Sequence, residues 1–185
     1  MITILGKVYR FFMTIVLLKI KGVKFGKRPS FGFLLPIIGN QGKIEVGNKF
    51  RIRGLQFRTQ FGTGKDGELL IGNNVFFNQG VNIYAEKKIV IEDDVSLGDL
   101  VTIYDTNFHE VGEGEGIKVS PVFIGRNVWI GRNAIILPGA HIGENSVIGA
   151  GSIVSSMIPP NSLVVGNPGR VVRTLKCSAS YVRIV

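Results

Sequence analysis

The chain has 185 residues, 45% of them hydrophobic, with a formal net charge of +9. That size and apolar share fit one domain with a real core, and a single cysteine, Cys177, excludes a disulfide framework and points to a reducing, cytoplasmic setting. The excess charge sits at two ends: residues 1–44 hold no acid, and after Glu144 come Arg170, Arg173, Lys176 and Arg183 but no acid. This lacks the aromatics interleaved with cations that bind nucleic acid, so no nucleic-acid partner is expected.

Residues 1–21 read as a helix. Ile4, Val8, Phe11, Ile15 and Leu18 share one face, and Lys7, Arg10, Thr14 and Lys21 another. The uncharged run Phe11–Leu18 is too short to cross a bilayer, and no small-residue cleavage site precedes Lys21 and Lys24. A basic amphipathic helix of this kind suits peripheral contact with the inner membrane face. The alternative is a helix packed on the body or on a neighbouring subunit.

After a Gly/Pro-punctuated stretch, Gly26 to Gly42, a sixfold phase begins weakly at Val46 and Ile52, with Phe50 and Gln56 four places later. It breaks in the polar turn Thr59–Asp66, where Gly62-Thr63-Gly64-Lys65 lacks the spacing of a phosphate loop. The phase restarts at Ile71, Phe77, Ile83 and Ile89, then slips two residues to Ile91, Leu97 and Ile103. Val75, Val81, Val95 and Val101 fill the second slot, with Lys87 as the outlier. Between Ile103 and Val122 the repeat stops; Tyr104–Pro121 carries His109 and alternating glycines from Gly112 to Gly116, and is expected to protrude as a loop.

From Ile124 the period is strict: Ile124, Ile130, Ile136, Ile142, Ile148 and Val154, each followed four places on by Val128, Ala134, Ala140, Ser146, Ser152 and Ile158. A helix repeats its apolar face every 3.6 residues and a strand every two. Six is the period of one flat face of a parallel β-helix: an inward anchor, a small second inward residue and a turn. The fold class is therefore mainly β. Residues 1–45 form a helix and connecting segment, 46–160 the β-helix with loop 104–121, and 161–185 a C-terminal cap.

Val128-Trp129-Ile130-Gly131, Val147-Ile148-Gly149-Ala150-Gly151-Ser152, Ile158-Pro159-Pro160-Asn161 and Gly166-Asn167-Pro168 resemble the hexapeptide-repeat acyltransferases. Within that family they are most similar to the galactoside and maltose O-acetyltransferases and related polysaccharide-cluster enzymes. The resemblance implies a left-handed coil, which spacing alone cannot supply and which departs from the usual right-handed crossover. It also implies a homotrimer with active sites between subunits, acetyl-CoA as co-substrate and no metal.

Only two histidines exist. His141 falls in an outward slot of a regular hexad and reads as a surface residue. His109 lies in the long break of the coil and matches the family's general base; imidazole, with a reference pKa of about 6.5, suits that task near neutral pH. Asn78 matches an asparagine that holds the acceptor hydroxyl and reacting centre, Glu86 a carboxylate that contacts the acceptor sugar. Asp105 stands near enough in sequence to orient His109 or meet the acceptor. By their positions in the family motifs, Arg132 and Ala150 supply main-chain contacts to acetyl-CoA, and Trp129 and Gly131 shape the wall. Ser155, Arg170 and Arg173 lie toward the nucleotide end, where cations suit phosphates.

These residues imply direct transfer of acetyl from acetyl-CoA to a saccharide hydroxyl, in surface polysaccharide synthesis. The alternative is N-acylation of an amino or nucleotide sugar or an antibiotic, since both acceptors need a base. A zinc site of the related carbonic anhydrase type is not expected from two histidines. A purely structural β-helix leaves the loop at His109 unexplained.

Overall fold

The computed structural model describes residues 4–178 and 180–183; the side chains of Ile4, Leu5 and Lys7 lie outside the described set. Residues 1–3 of the expected helix, and the places of Ile4 and Lys7 on its faces, therefore lie outside the described residues. Helix α1 (Ile4–Ile20) is followed by short strands that stack into three sheets, parallel except for the last strand of the second. The first face has seven strands, from Lys24–Phe25 to Met157–Ile158; the second has eight, from Ser30–Phe31 to Arg170–Thr174; the third has six, from Ile37–Asn40 to Ile153–Val154. Each turn of the chain visits the faces in that order, giving the parallel β-helix that the hexads specify, with the left-handed coil of the hexapeptide-repeat fold.

The anchors close the core. Ile124, Ile130, Ile136, Ile142 and Ile148 are fully buried, as are Ala134, Ser146 and Ser152 in the second slot. Burial of one such isoleucine contributes roughly 1.5–3 kcal/mol. The buried serines are satisfied: Ser146 Oγ accepts from the Ser162 N–H at 3.1 Å and Ser152 Oγ from the Gly166 N–H at 3.1 Å. Corners are turned by residues with φ near +60°, among them Asn127, Asn133, Asn145 and Asn161. Asparagine tolerates that region better than other residues with a Cβ.

Where the phase slips, the structure shows how. Ile89 and Ile91 both point inward from the strand Lys88–Ile91, and Lys87 is left exposed in the preceding corner. At the N-terminal end Phe50 fills the second slot completely buried and meets Phe31, Phe61 and Phe77 edge-on at 6.0, 6.2 and 5.0 Å. Gln56, by contrast, is exposed. The parallel ladder starts earlier than the weak phase at Val46 suggests: Lys24–Phe25 already pairs with Glu45–Val46, and Ser30–Phe31 with Arg51–Ile52. The C-terminal segment covers the last coil by antiparallel pairing of Arg170–Thr174 with Ser162–Val165.

Candidate active site

The break in the repeat is a loop at the corner between the third and first faces. Its neck is closed by the Thr106–Val119 bridge, by Asn107 N–H to Lys118 C=O at 3.0 Å and by Ser120 N–H to Asp105 C=O at 2.8 Å. Asp105 is fully buried. Its carboxylate accepts the main-chain N–H groups of Glu86, Lys87 and Lys88 at 2.7, 2.8 and 2.6 Å. With three main-chain donors on one buried carboxylate, Asp105 fastens the loop to the coil before it. This side chain makes no bond to His109 among the described residues, which corrects the orienting role expected for it from sequence.

His109 is exposed and makes no hydrogen bond or ion pair among the described residues. Phe108, with φ +59°, precedes it. The Phe108 ring sits 5.2 Å from that of Tyr84 and 5.3 Å from that of Tyr104. This aromatic triplet holds the start of the free loop against the third face. Tyr84 Oη donates to Glu86 Oε2 at 3.0 Å. Burial, then the hydrogen bond and charge of Glu86 and the charge of Asp105, push the Tyr84 phenol above its ordinary 10.0, so it stays a neutral donor. Glycine at 64 leaves room for this carboxylate, since a Cβ there would stand 2.5 Å from Glu86 Oε2.

A second group of residues gathers at the corner between the second and third faces. Asn78, Gly98 and Gly131 stack there, with the N–H of each bonded to Leu97, Ile130 and Ile148. Asn78 Oδ1 accepts from the Gln79 N–H at 3.0 Å, a local turn bond. A Cβ on Gly98 would lie 2.7 Å from Arg132 N, and one on Gly131 2.7 Å from Ala150 N. Glycine at both positions leaves these two N–H groups uncovered, and neither donates to any described residue. At the corner before the second face, in earlier coils, the matching N–H groups of Asn48 and Asn73 are taken by the side chains of Asn73 and Asp93.

Next to this corner runs a groove of about 830 Å³, lined by Trp129, Val147, Arg173, Lys176, Cys177 and Tyr181 among others. Trp129 is 48% exposed, an outward aromatic wall. Arg183 builds the far rim: its main-chain N–H donates to Asn127 Oδ1 at 2.8 Å and its Nη2 to the Asn145 C=O at 2.7 Å. Arg132 pairs with Asp99 at 3.8 Å. Arg170, exposed, donates to the Gly169 C=O at 3.1 Å, and Ser155 is exposed beyond the strand Ile153–Val154.

The structure thus brings Glu86, Asp105 and the root of the His109 loop to one corner, and Asn78, Gly131, Arg132 and Ala150 to another, with Trp129 and Arg173 alongside. No contact joins Asn78 to His109 among the described residues. His141 is exposed on the first face, stacked on Phe123 at 4.6 Å. Sequence reasoning missed Tyr84 and Tyr104, which are spaced as ordinary outward strand residues, and Phe108, which lies in the loop beyond the repeat. It also missed that Cys177 and Arg183 reach the Trp129 groove, because a cap gives no periodic signal.

The bacterial transferase hexapeptide (six repeats) family matches residues 121–156. The galactoside O-acetyltransferase of Escherichia coli K12 is 42% identical over 108 residues, 57% of this chain and 53% of that protein. A hexapeptide-repeat-containing acetyltransferase from Vibrio cholerae is 31% identical, with a TM-score of 0.53 over 63% of this chain and 68% of that one. A galactoside acetyltransferase in complex with coenzyme A is 27% identical, with a TM-score of 0.53 over 88% of this chain and 70% of that one. The chain spans between 39% and 56% of the length of the curated relatives it matches. The unbroken hexads, the three stacked sheets and these likenesses agree: the chain belongs to the hexapeptide-repeat acetyltransferases.

Proposed function

We propose that this protein transfers acetyl from acetyl-CoA to a sugar hydroxyl, as a homotrimer serving surface polysaccharide synthesis. The separation of the site residues onto two corners carries the reading. One corner offers an exposed imidazole and a carboxylate, His109 and Glu86; the other offers Asn78 and the uncovered N–H groups of Arg132 and Ala150 beside Trp129. Neither half is a complete site for acyl transfer. Apposing one corner to the other corner of a neighbouring subunit completes it, which supports the trimer.

The pantetheine arm lies along the second corner, with its amides on Arg132 and Ala150. Its anionic nucleotide end lies toward Ser155, Arg170 and Arg173, where cations favour phosphate. His109 takes the proton of the acceptor hydroxyl as its oxygen attacks the thioester carbonyl carbon. Asn78 holds the hydroxyl and the reacting centre, and main-chain N–H groups stabilise the oxyanion. Collapse breaks the carbon–sulfur bond, and the imidazolium returns its proton to the departing CoA thiolate. Acetyl passes directly, with no covalent enzyme intermediate. The complex of a relative with coenzyme A supports the donor, and the galactoside O-acetyltransferase likeness supports the acceptor.

Thiol release from acetyl-CoA, measured against a panel of neutral saccharides and their amino-sugar counterparts, tests the reading. Acetyl ester formed on a saccharide is the expected product. Turnover only with amine acceptors would replace it with N-acylation.

A further inference from the structure

Helix α1 docks on the solenoid with an apolar face turned away. Thr14, expected on the polar face, is fully buried: its Oγ1 donates to the Arg10 C=O at 2.9 Å and accepts from the Phe31 N–H at 3.3 Å. Leu18 is buried on the same side. The opposite side therefore exposes Val8 and Phe12, 61% and 62% accessible. Beside the helix, Phe33 (74%) and Leu55 (53%) project from the first coils. Between helix and coils runs a groove of about 460 Å³ that includes Arg10, Phe11, Phe33, Arg51, Arg53 and Leu55. No acidic residue lines it, and none of its three arginines forms an ion pair among the described residues. Arg51 lies over the Phe76 ring at 5.3 Å.

Large aromatics exposed together mark a surface that something covers. Cations set among them, without acids, select an anionic cover. We propose that α1 and the first two coils form one composite surface that seats the protein on an anionic lipid bilayer. Arg10, Arg51 and Arg53 face lipid phosphates, while Phe12, Phe33 and Leu55 enter the boundary of the acyl chains. This extends the contact beyond the helix, to side chains of the β-helix itself. A second copy meeting this surface with its own is a poor occupant, since two surfaces of the same positive sign would face each other. Seating on a bilayer in this way does not depend on acetyl transfer.

Flotation of the full chain with phosphatidylcholine vesicles, with and without phosphatidylglycerol, tests it. The protein is expected to float with the anionic vesicles only, and to be released as salt rises from about 0.1 M to about 1 M. Phe12→Glu, Phe33→Glu and Arg53→Glu are each expected to lower partitioning by roughly tenfold or more, with circular dichroism and elution volume unchanged. Lys65→Glu makes the same charge change outside the groove and is expected to retain binding. Equal binding to neutral vesicles, or equal loss in Lys65→Glu, overturns the proposal. So does a wild-type protein that fails to float but loses an oligomeric state in Phe33→Glu, which would assign the surface to a second copy.

Discussion

Asp105 holds Glu86 by its main chain: the buried carboxylate accepts the Glu86 N–H at 2.7 Å and the next two N–H groups beyond it. The loop that carries His109 therefore leaves the coil from the same point at which Glu86 is presented. Both ends of that arrangement, an exposed imidazole and an exposed carboxylate, depend on one side chain that does not touch solvent.

Asp105→Ala should act through position. A hydrogen bond to a charged group contributes about 1.5–3 kcal/mol, and an unpaired buried donor costs a similar amount. Unfolding in urea should show a loss of about 3 kcal/mol or more. kcat should fall while KM for acetyl-CoA holds, because the Trp129 groove lies on another corner. A rise in that KM equal to the fall in kcat would mean a general collapse instead.

His109→Ala should lower kcat by roughly 10²–10⁴. The side chain is exposed and bonds to no described residue, so the thermal midpoint should not move. Near-normal turnover would remove His109 from the proposed mechanism.

Gly131→Ala should weaken acetyl-CoA. The added Cβ would meet Ala150 N at 2.7 Å and Ala150 Cα at 3.0 Å, both main chain, so the corner must move and the Ala150 N–H is covered. Overpacking of this kind costs about 1–3 kcal/mol. KM for acetyl-CoA should rise well before kcat changes, and an unchanged KM would place the donor elsewhere.

Acid should loosen the first face. Hydrogen bonding to Lys24 lowers Glu45 below its ordinary 4.5, and hydrogen bonding to Lys88 lowers Glu68 likewise; Lys43 acts on both. A carboxylate depressed in the folded state contributes stability above its unfolded pKa and loses it as pH falls through the folded value. Thermal midpoints should therefore drop below about pH 4.5, less steeply in Lys43→Met and less steeply in high salt. Both carboxylates are exposed, so the effect should be small.

Much of the fold was legible because a β-helix writes its geometry locally. Each hexad specifies one face and one corner, so Ile124 to Ile158 needed no knowledge of distant residues to be placed. Phe50 was harder: it occupies a slot that favours small residues, and only the stack with Phe31, Phe61 and Phe77 explains it. His109 was singled out because it sits where the period fails. Asp105 was misassigned for the opposite reason, since four residues of separation say nothing about which way a carboxylate turns.

By itself the sequence determined the β-helix and the break that carries His109, because period is a property of neighbouring residues, and its motifs singled out Gly131. Only the tertiary structure decided what Gly98 and Gly131 uncover, which corner each candidate occupies, that Asp105 fastens the loop and which side of α1 faces outward. Each of those depends on residues a coil or more apart, whose apposition is fixed by stacking rather than by spacing.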